Sequence, residues 1–207
     1  MKHSTYLLRA VAAMVAVSTV FGAQANTGLN ATVYSDWERG GVARGSTGDI
    51  TFAGLTPVGS FLDPAIDHWD DTNFYLWNPL GQSDYYSVRW TGYLTGGSTG
   101  LYDFRVTSDD GVQVIIGGAT VIDSPELQWF GVSTGSMALD GSPVSIEVRY
   151  YEDRYWDGIR LEWKKPDSSW EVIPTAALAP VPEPETYALL LAGLGVLGWV
   201  GRQRKVN

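Results

Sequence analysis

A chain of 207 residues with 44% hydrophobic and 18% charged side chains, and with nine Trp, eleven Tyr, six Phe and 24 Gly, reads as a folded, β-rich protein of about one domain. It contains no cysteine, which excludes disulfides, thiolate nucleophiles and Cys-based zinc sites. The formal net charge is −9, and with the five basic and two acidic residues of the two ends set aside, nine Lys/Arg face 21 Asp/Glu; such a surface repels DNA and RNA backbones but suits solubility and hard cations such as Ca²⁺.

The chain opens with Lys2 and Arg9 and an apolar run from Leu7 to Phe21, followed by Ala23-Gln24-Ala25. A short basic start, a short apolar run and small residues at Ala23 and Ala25 predict a secretory signal over residues 1–25, cut after Ala25 by signal peptidase. An uncleaved anchor is the other reading, and the run is short for one. Cleavage would leave His68 as the one histidine, so a His-dependent triad or a multi-His metal site is hard to build.

From residue 26 to 179 the pattern is that of short strands punctuated by Gly, Asp and Ser turns. Tyr86–Leu94 alternates strongly, and Leu101–Thr107 places Tyr102, Phe104 and Val106 on one face. Val112–Ile116 is a run of β formers, Val144–Tyr150 has a clean period of two with Val144, Ile146, Val148 and Tyr150 inward, and Ile159–Trp163 repeats it. No window here sustains a helical period. The expected fold is all-β, an antiparallel sandwich or barrel.

Three connections within this domain carry candidate chemistry. Asp109-Asp110-Gly111 sits between two strands; adjacent carboxylates at a loop tip can ligate Ca²⁺, and Asp-Gly is equally a favoured hairpin turn. Two carboxylates are too few for Ca²⁺, and the sequence does not identify the loop that would add the others. Tyr150–Gly158, with Tyr155 and Trp156, and Asp123–Gly131, with Trp129, offer aromatic faces for sugar C–H groups beside acids for sugar hydroxyls; they could equally fold back over the sandwich edge as core. His68-Trp69-Asp70-Asp71 offers too few ligands for a metal and reads as a solvated loop. Acids are plentiful, but no pair stands out for glycoside hydrolysis.

Residues 180–207 begin with the stiff Pro180-Val181-Pro182-Glu183-Pro184-Glu185, continue with the apolar run Thr186–Gly201 and end with Arg202, Arg204 and Lys205. This predicts a single apolar transmembrane helix with its basic end in the cytoplasm and the domain facing outward.

Two resemblances follow from these residues. Residues 181–205 resemble the PEP-CTERM sorting signal, in which Pro182-Glu183-Pro184 is recognised by an exosortase, a membrane enzyme found with exopolysaccharide systems in Gram-negative bacteria. The resemblance implies an inner-membrane-anchored precursor facing the periplasm, with the mature protein passing to the cell surface or beyond. Residues 28–178 resemble the protective-antigen-type ("PA-fourteen") domain, through Ser87–Leu94, Gly100–Val112 with its Ser-Asp-Asp-Gly block, Gly117-Gly118, Val144–Glu152 and Leu161–Pro166. That family is a β-sandwich of toxins, glycosidases and adhesins, and several members bind carbohydrate. In its yeast adhesin branch the matching Asp pair holds Ca²⁺, which binds sugar hydroxyls, so the resemblance gives Asp109 and Asp110 the metal and sugar role; Tyr155, Trp156 and Trp129 are sugar-binding candidates from the residue pattern of their connections alone.

The expectation is a non-catalytic surface or matrix protein that binds carbohydrate or exopolysaccharide, with Ca²⁺ as the candidate cofactor. A structural biofilm protein that binds other proteins, and a polysaccharide hydrolase, are the alternatives.

Overall fold

The computed structural model describes residues 27–35, 50–68, 81, 84–181 and 191–194. The expected secretory signal, with Ala23 and Ala25, lies outside them, as do the sorting tripeptide Pro182, Glu183 and Pro184 and the segment Trp69-Asp70-Asp71. Of the apolar C-terminal run only Leu191–Leu194 is described, and it is helical. Among the described residues no helix is long and apolar enough to cross a membrane.

In chain order the strands are β1 (Leu29–Ser35), β2 (Thr56–Asp63), β3 (Asp67–His68), β4 (Tyr86–Leu94), β5 (Thr99–Asp109) and β6 (Val112–Ile116). There follow β7 (Ala119–Ser124), β8 (Gly131–Asp140), β9 (Val144–Glu152), β10 (Gly158–Lys164), β11 (Glu171–Val172) and β12 (Leu178–Pro180), the last entered from a 3₁₀ turn at Thr175–Ala177. They form two antiparallel sheets. The first runs β2-β1-β4-β9-β6-β7, with β12 pairing β4; the second runs β11-β10-β5-β8, with β3 pairing β10. The expected all-β, antiparallel architecture is thus observed, and each of the five strands read from the alternation lies within an observed one.

The reason is the period of two, which gives each strand one face for the core. Leu29, Ala31 and Val33 of β1, Val88 and Trp90 of β4 and Ile146, Val148 and Tyr150 of β9 are buried from the first sheet. Tyr102, Phe104 and Val106 of β5 and Leu161 and Trp163 of β10 meet them from the second. Val144, at the start of the inward series of β9, is only partly buried against this core. A smaller cluster of Ile50 and Tyr151, with Phe52 and Leu55 against it, is separate from that core; Tyr151 is the strand neighbour of Tyr150 and so points to the opposite side of the first sheet.

Two placements matter for function. β12 continues the ladder that β1 leaves: Asn30 of β1 pairs with Thr91, and Leu178–Pro180 pair with Leu94, Tyr93 and Gly92. A Cβ at Gly92 would lie 2.4 Å from the Ala179 carbonyl oxygen, so this approach requires glycine. At the other end of β4, Tyr86 pairs with Glu152, while Gly158 pairs with Asp109 in the second sheet. β12 therefore lies at the end of β4 opposite the Asp109–Glu152 end and, being antiparallel to β4, runs back toward it.

Candidate functional site

Asp109-Asp110-Gly111 joins β5 to β6, which belong to different sheets. The hairpin reading of this block is therefore incorrect: the segment crosses from one sheet to the other at the end of the sandwich. The Asp109–Asp110 peptide is cis. Gly111 is needed for room, since a Cβ there would lie 2.3 Å from a Tyr151 ring carbon and 2.7 Å from the Pro125 carbonyl oxygen.

The crossover puts both carboxylates beside the end of β9. Oxygens of Asp109, Asp110 and Glu152 all lie within 4.8 Å of one another. Their surroundings differ. Asp110 is locked in place: its Oδ1 accepts from the Gln128 amide at 3.1 Å and its Oδ2 from the Asp153 amide at 2.8 Å. Its carbonyl oxygen accepts from the Ser108 hydroxyl at 2.8 Å and from the Gln128 side-chain amide at 3.0 Å. The Asp109 carbonyl accepts from the Tyr150 hydroxyl, whereas the Asp109 carboxylate has no hydrogen-bond partner among the described residues. Glu152 is completely buried; its Oε2 is 3.4 Å from the Tyr150 hydroxyl, and its Oε1 is a buried atom without a partner. Asp157, also buried, accepts from the Tyr86 hydroxyl at 2.7 Å.

Placing several acids together out of water raises the cost of ionising each. Burial first, then the charges of Asp110 and Asp157, push Asp109 up to about 7. Burial, then Asp110 and Asp109, push Glu152 up to about 11. Asp157 is raised to about 6, mainly by burial and against the hydrogen bond from Tyr86. A divalent cation would relieve this repulsion, and hard carboxylate oxygens are the donors that Ca²⁺ takes. The unpartnered Glu152 Oε1 and the free Asp109 carboxylate fit that role.

Above the trio opens a cleft of about 410 Å³ lined by Asp109, Asp110, Gln128 and Asp153, and by the rim residues Leu127, Trp129, Arg154, Tyr155 and Trp156. Trp129 and Trp156 pack ring to ring at 5.6 Å and 37°. Trp129 is 73% exposed and Tyr155 65% exposed, so these two do not fold back into the core. Tyr155 has φ +84° and is held by its amide, which donates to Asp84 Oδ1 at 2.9 Å. Arg154 donates to Asp153 at 3.2 Å and lies 5.7 Å from the Tyr155 ring centre.

All five side chains singled out from the sequence, Asp109, Asp110, Trp129, Tyr155 and Trp156, thus line one cleft. Sequence reasoning took Glu152, Asp153 and Asp157 only as acids of the Tyr150–Gly158 connection that could accept from sugar hydroxyls and gave none of them a place in a metal site, and it did not single out Gln128. A signal for Glu152 was present: it continues the inward series of Ile146, Val148 and Tyr150, and an acid at an inward position is a buried charge that needs a partner. The solvated-loop expectation for His68 is corrected for the residue itself. His68 belongs to β3, its Nε2 is 2.7 Å from the buried Asp63 Oδ2, and its ring stacks on Trp90. It sits among core groups because the same oxygen also accepts from Trp90 Nε1.

Comparison with known proteins agrees with this architecture. The anti-sigma-I factor RsgI3 of Acetivibrio thermocellus is 30% identical over 121 residues, 58% of this chain and 18% of that protein. An anti-sigma factor domain-containing protein of known structure superposes with a TM-score of 0.63 at 25% identity, over 77% of this chain and 49% of that one. The PA14 sugar-binding domain from an RTX adhesin superposes with a TM-score of 0.59 at 22% identity, over 76% of this chain and all of that one. This chain therefore spans under half the length of the anti-sigma factors it matches and the whole of the adhesin domain. Residues 180–205 match the PEP-CTERM protein-sorting motif, which marks an exported protein. Residues 41–176 match the PA14 domain, and the chain belongs to that family.

Proposed function

We propose that this exported protein is a non-catalytic carbohydrate-binding module. Its cleft holds Ca²⁺ between Asp109, Asp110 and Glu152 and presents the ion to sugar hydroxyls. The observation that carries the reading is that Asp109 and Asp110 line an aromatic-rimmed cleft with the fully buried Glu152 within 4.8 Å behind them, one of whose oxygens has no partner among the described residues. When bound, the ion supplies open coordination positions for vicinal hydroxyls. The protein's own groups do the rest. Gln128 and Asp153 amides fix Asp110, and Trp129, Trp156 and Tyr155 offer ring faces to pyranose C–H groups. The sugar-binding adhesin domain of the same fold supports this reading.

A binding role is favoured over hydrolysis because Glu152 is fully buried and cannot reach a glycosidic oxygen, while Asp110 is committed to two backbone amides. The sorting motif supports processing by exosortase, and the Ala23-Gln24-Ala25 pattern supports processing by signal peptidase, from an inner-membrane precursor facing the periplasm, then release to the surface or matrix.

The test is a glycan array and calorimetry on the full-length protein, with Ca²⁺ and with chelator. Calcium-dependent binding of at least one bacterial polysaccharide is expected. Silence across the array, with retention on isolated matrix stripped of glycan, would replace this reading with a protein-binding matrix role.

A further inference from the structure

We infer that the glycan taken by this cleft carries free amino groups, the chemistry of an N-deacetylated amino-sugar polymer, rather than carboxylates. The inference deepens the carbohydrate reading and rests on it. It starts from the charges that line the cleft and those buried behind it. Asp109, Asp110 and Asp153 line the cleft, Glu152 lies within 4.8 Å of the first two, and Asp157 and Asp84 act on the same cluster. Among the described residues, Arg154 is the one cation in the lining, and it is paired with Asp153. A divalent ion at the trio balances two carboxylates and Arg154 balances Asp153. The third carboxylate of the trio and Asp157 then remain uncompensated.

A site with that residual charge repels a uronate or any other acidic sugar and attracts an ammonium group. The rim adds a second, independent attraction. Trp129 and Trp156 stand 5.6 Å apart with their rings inclined by 37°, and the exposed Tyr155 lines the same cleft. Ring faces arranged in this way draw a cation through their negative quadrupoles. In a 2-amino sugar the ammonium lies one carbon from a ring hydroxyl. Calcium can therefore take the hydroxyls while the acids and rings take the amine.

The experiment is calorimetry on the calcium-loaded full-length protein with three probes: an oligomer of β-linked glucosamine, its fully N-acetylated counterpart, and an oligogalacturonate. The pH is one at which the sugar amine is protonated, and each titration is repeated with Arg154→Ala. The glucosamine oligomer should bind at least about tenfold more tightly than the acetylated one, with the difference shrinking as salt is added. Arg154→Ala, which removes the competing cation of the lining and leaves Asp153 uncompensated, should increase that affinity. Equal or tighter binding of the acetylated oligomer would overturn the amine inference and leave the carbohydrate reading standing. So would preference for the uronate with loss of binding in Arg154→Ala. Binding of none of the three, with Ca²⁺ still bound, would overturn the amine inference and count against the carbohydrate reading as well.

Discussion

Asp110 and Glu152 bring carboxylate oxygens within 4.8 Å of each other, yet Asp110 is bonded by two backbone amides and Glu152 keeps one buried oxygen with no partner. The pair joins a structural acid to an unsatisfied one, and Asp109, whose carboxylate has no hydrogen bond among the described residues, completes the trio. This asymmetry separates the effects of substitution. Asp109→Asn should abolish calcium binding measured by calorimetry while leaving the urea midpoint nearly unchanged. Asp110→Asn should abolish binding and also lower stability by about 1–3 kcal/mol, because an amide nitrogen cannot accept from a backbone N–H. Wild-type affinity should lie at about 10⁻⁴ to 10⁻³ M, the range of extracellular calcium modules. Absence of calcium binding in the wild type would reduce the crossover to a structural connection.

Glu152, held up at about 11, carries its proton at neutral pH in the metal-free protein. Glutamine copies that neutral form in size and polarity. Glu152→Gln should therefore change metal-free stability little while weakening calcium binding at least about tenfold. In the wild type the ion must displace the proton, so the calcium-binding enthalpy should vary with the ionisation enthalpy of the buffer. A buffer-independent enthalpy would show that Glu152 is not a ligand.

The same raised acids set the pH dependence. Asp109 at about 7 and Asp157 at about 6 lie above ordinary unfolded carboxylates, so the folded state binds more protons than the unfolded one. Their favourable contribution is complete below the unfolded values of about 4 and is lost as pH rises through 6 and 7. Metal-free protein should thus melt at a lower temperature near pH 8 than near pH 5, and calcium should raise the melting temperature more at the higher pH. At a calcium concentration of about a hundred times Kd the gain is about 2.7 kcal/mol. Melting temperatures that rise with pH in chelator would contradict the protonation scheme.

The fold and most of the cleft were legible from the sequence, and the reasons are physical. A period-two strand such as Leu101–Thr107 buries Tyr102, Phe104 and Val106 whatever its partners, so local alternation is enough. Asp109, Asp110, Trp129, Tyr155 and Trp156 were found because each belongs to a connection with conspicuous residues. Glu152 was read as an acid of the Tyr150–Gly158 connection, because the strand was read as ending at Tyr150, so its inward place beside Asp109 and Asp110 was not seen. The crossover was mistaken for a possible hairpin because Asp-Gly has the same local preference whether the next strand joins the same sheet or the other one. Only long-range pairing, Gly158 with Asp109 and Tyr86 with Glu152, decides that.

The rim aromatics should separate binding from stability. Trp129 is 73% and Tyr155 65% exposed, so Trp129→Ala and Tyr155→Ala should leave the melting temperature nearly unchanged. Glycan affinity should fall by about tenfold for each, as expected when a ring that stacks on sugar is removed. The buried Trp163 behaves in the opposite way: Trp163→Ala should cost about 3–5 kcal/mol of stability. Unaltered glycan affinity in both rim variants would remove the aromatic faces from the binding surface.

Asp63 is the strongest test of how Trp90 and His68 are held. One oxygen, Oδ2, accepts from Trp90 Nε1 at 2.7 Å and lies 2.7 Å from His68 Nε2, while Oδ1 is 3.4 Å from the Ala65 amide. Trp90 is fully buried, so its indole N–H has no access to water if the acceptor is removed. Asp63→Ala should therefore lower stability by about 2–4 kcal/mol, the desolvation penalty of the stranded donors and the lost charge-assisted bonds. His68→Ala should cost less, about 1 kcal/mol, because the ring retains 17% exposure and Trp90 keeps its acceptor. Equal losses in the two variants would mean that His68, and not Trp90, is the partner that makes Asp63 necessary. A double variant decides between the two: with His68 already replaced, most of the cost of Asp63→Ala should remain if the indole is the group left unsatisfied.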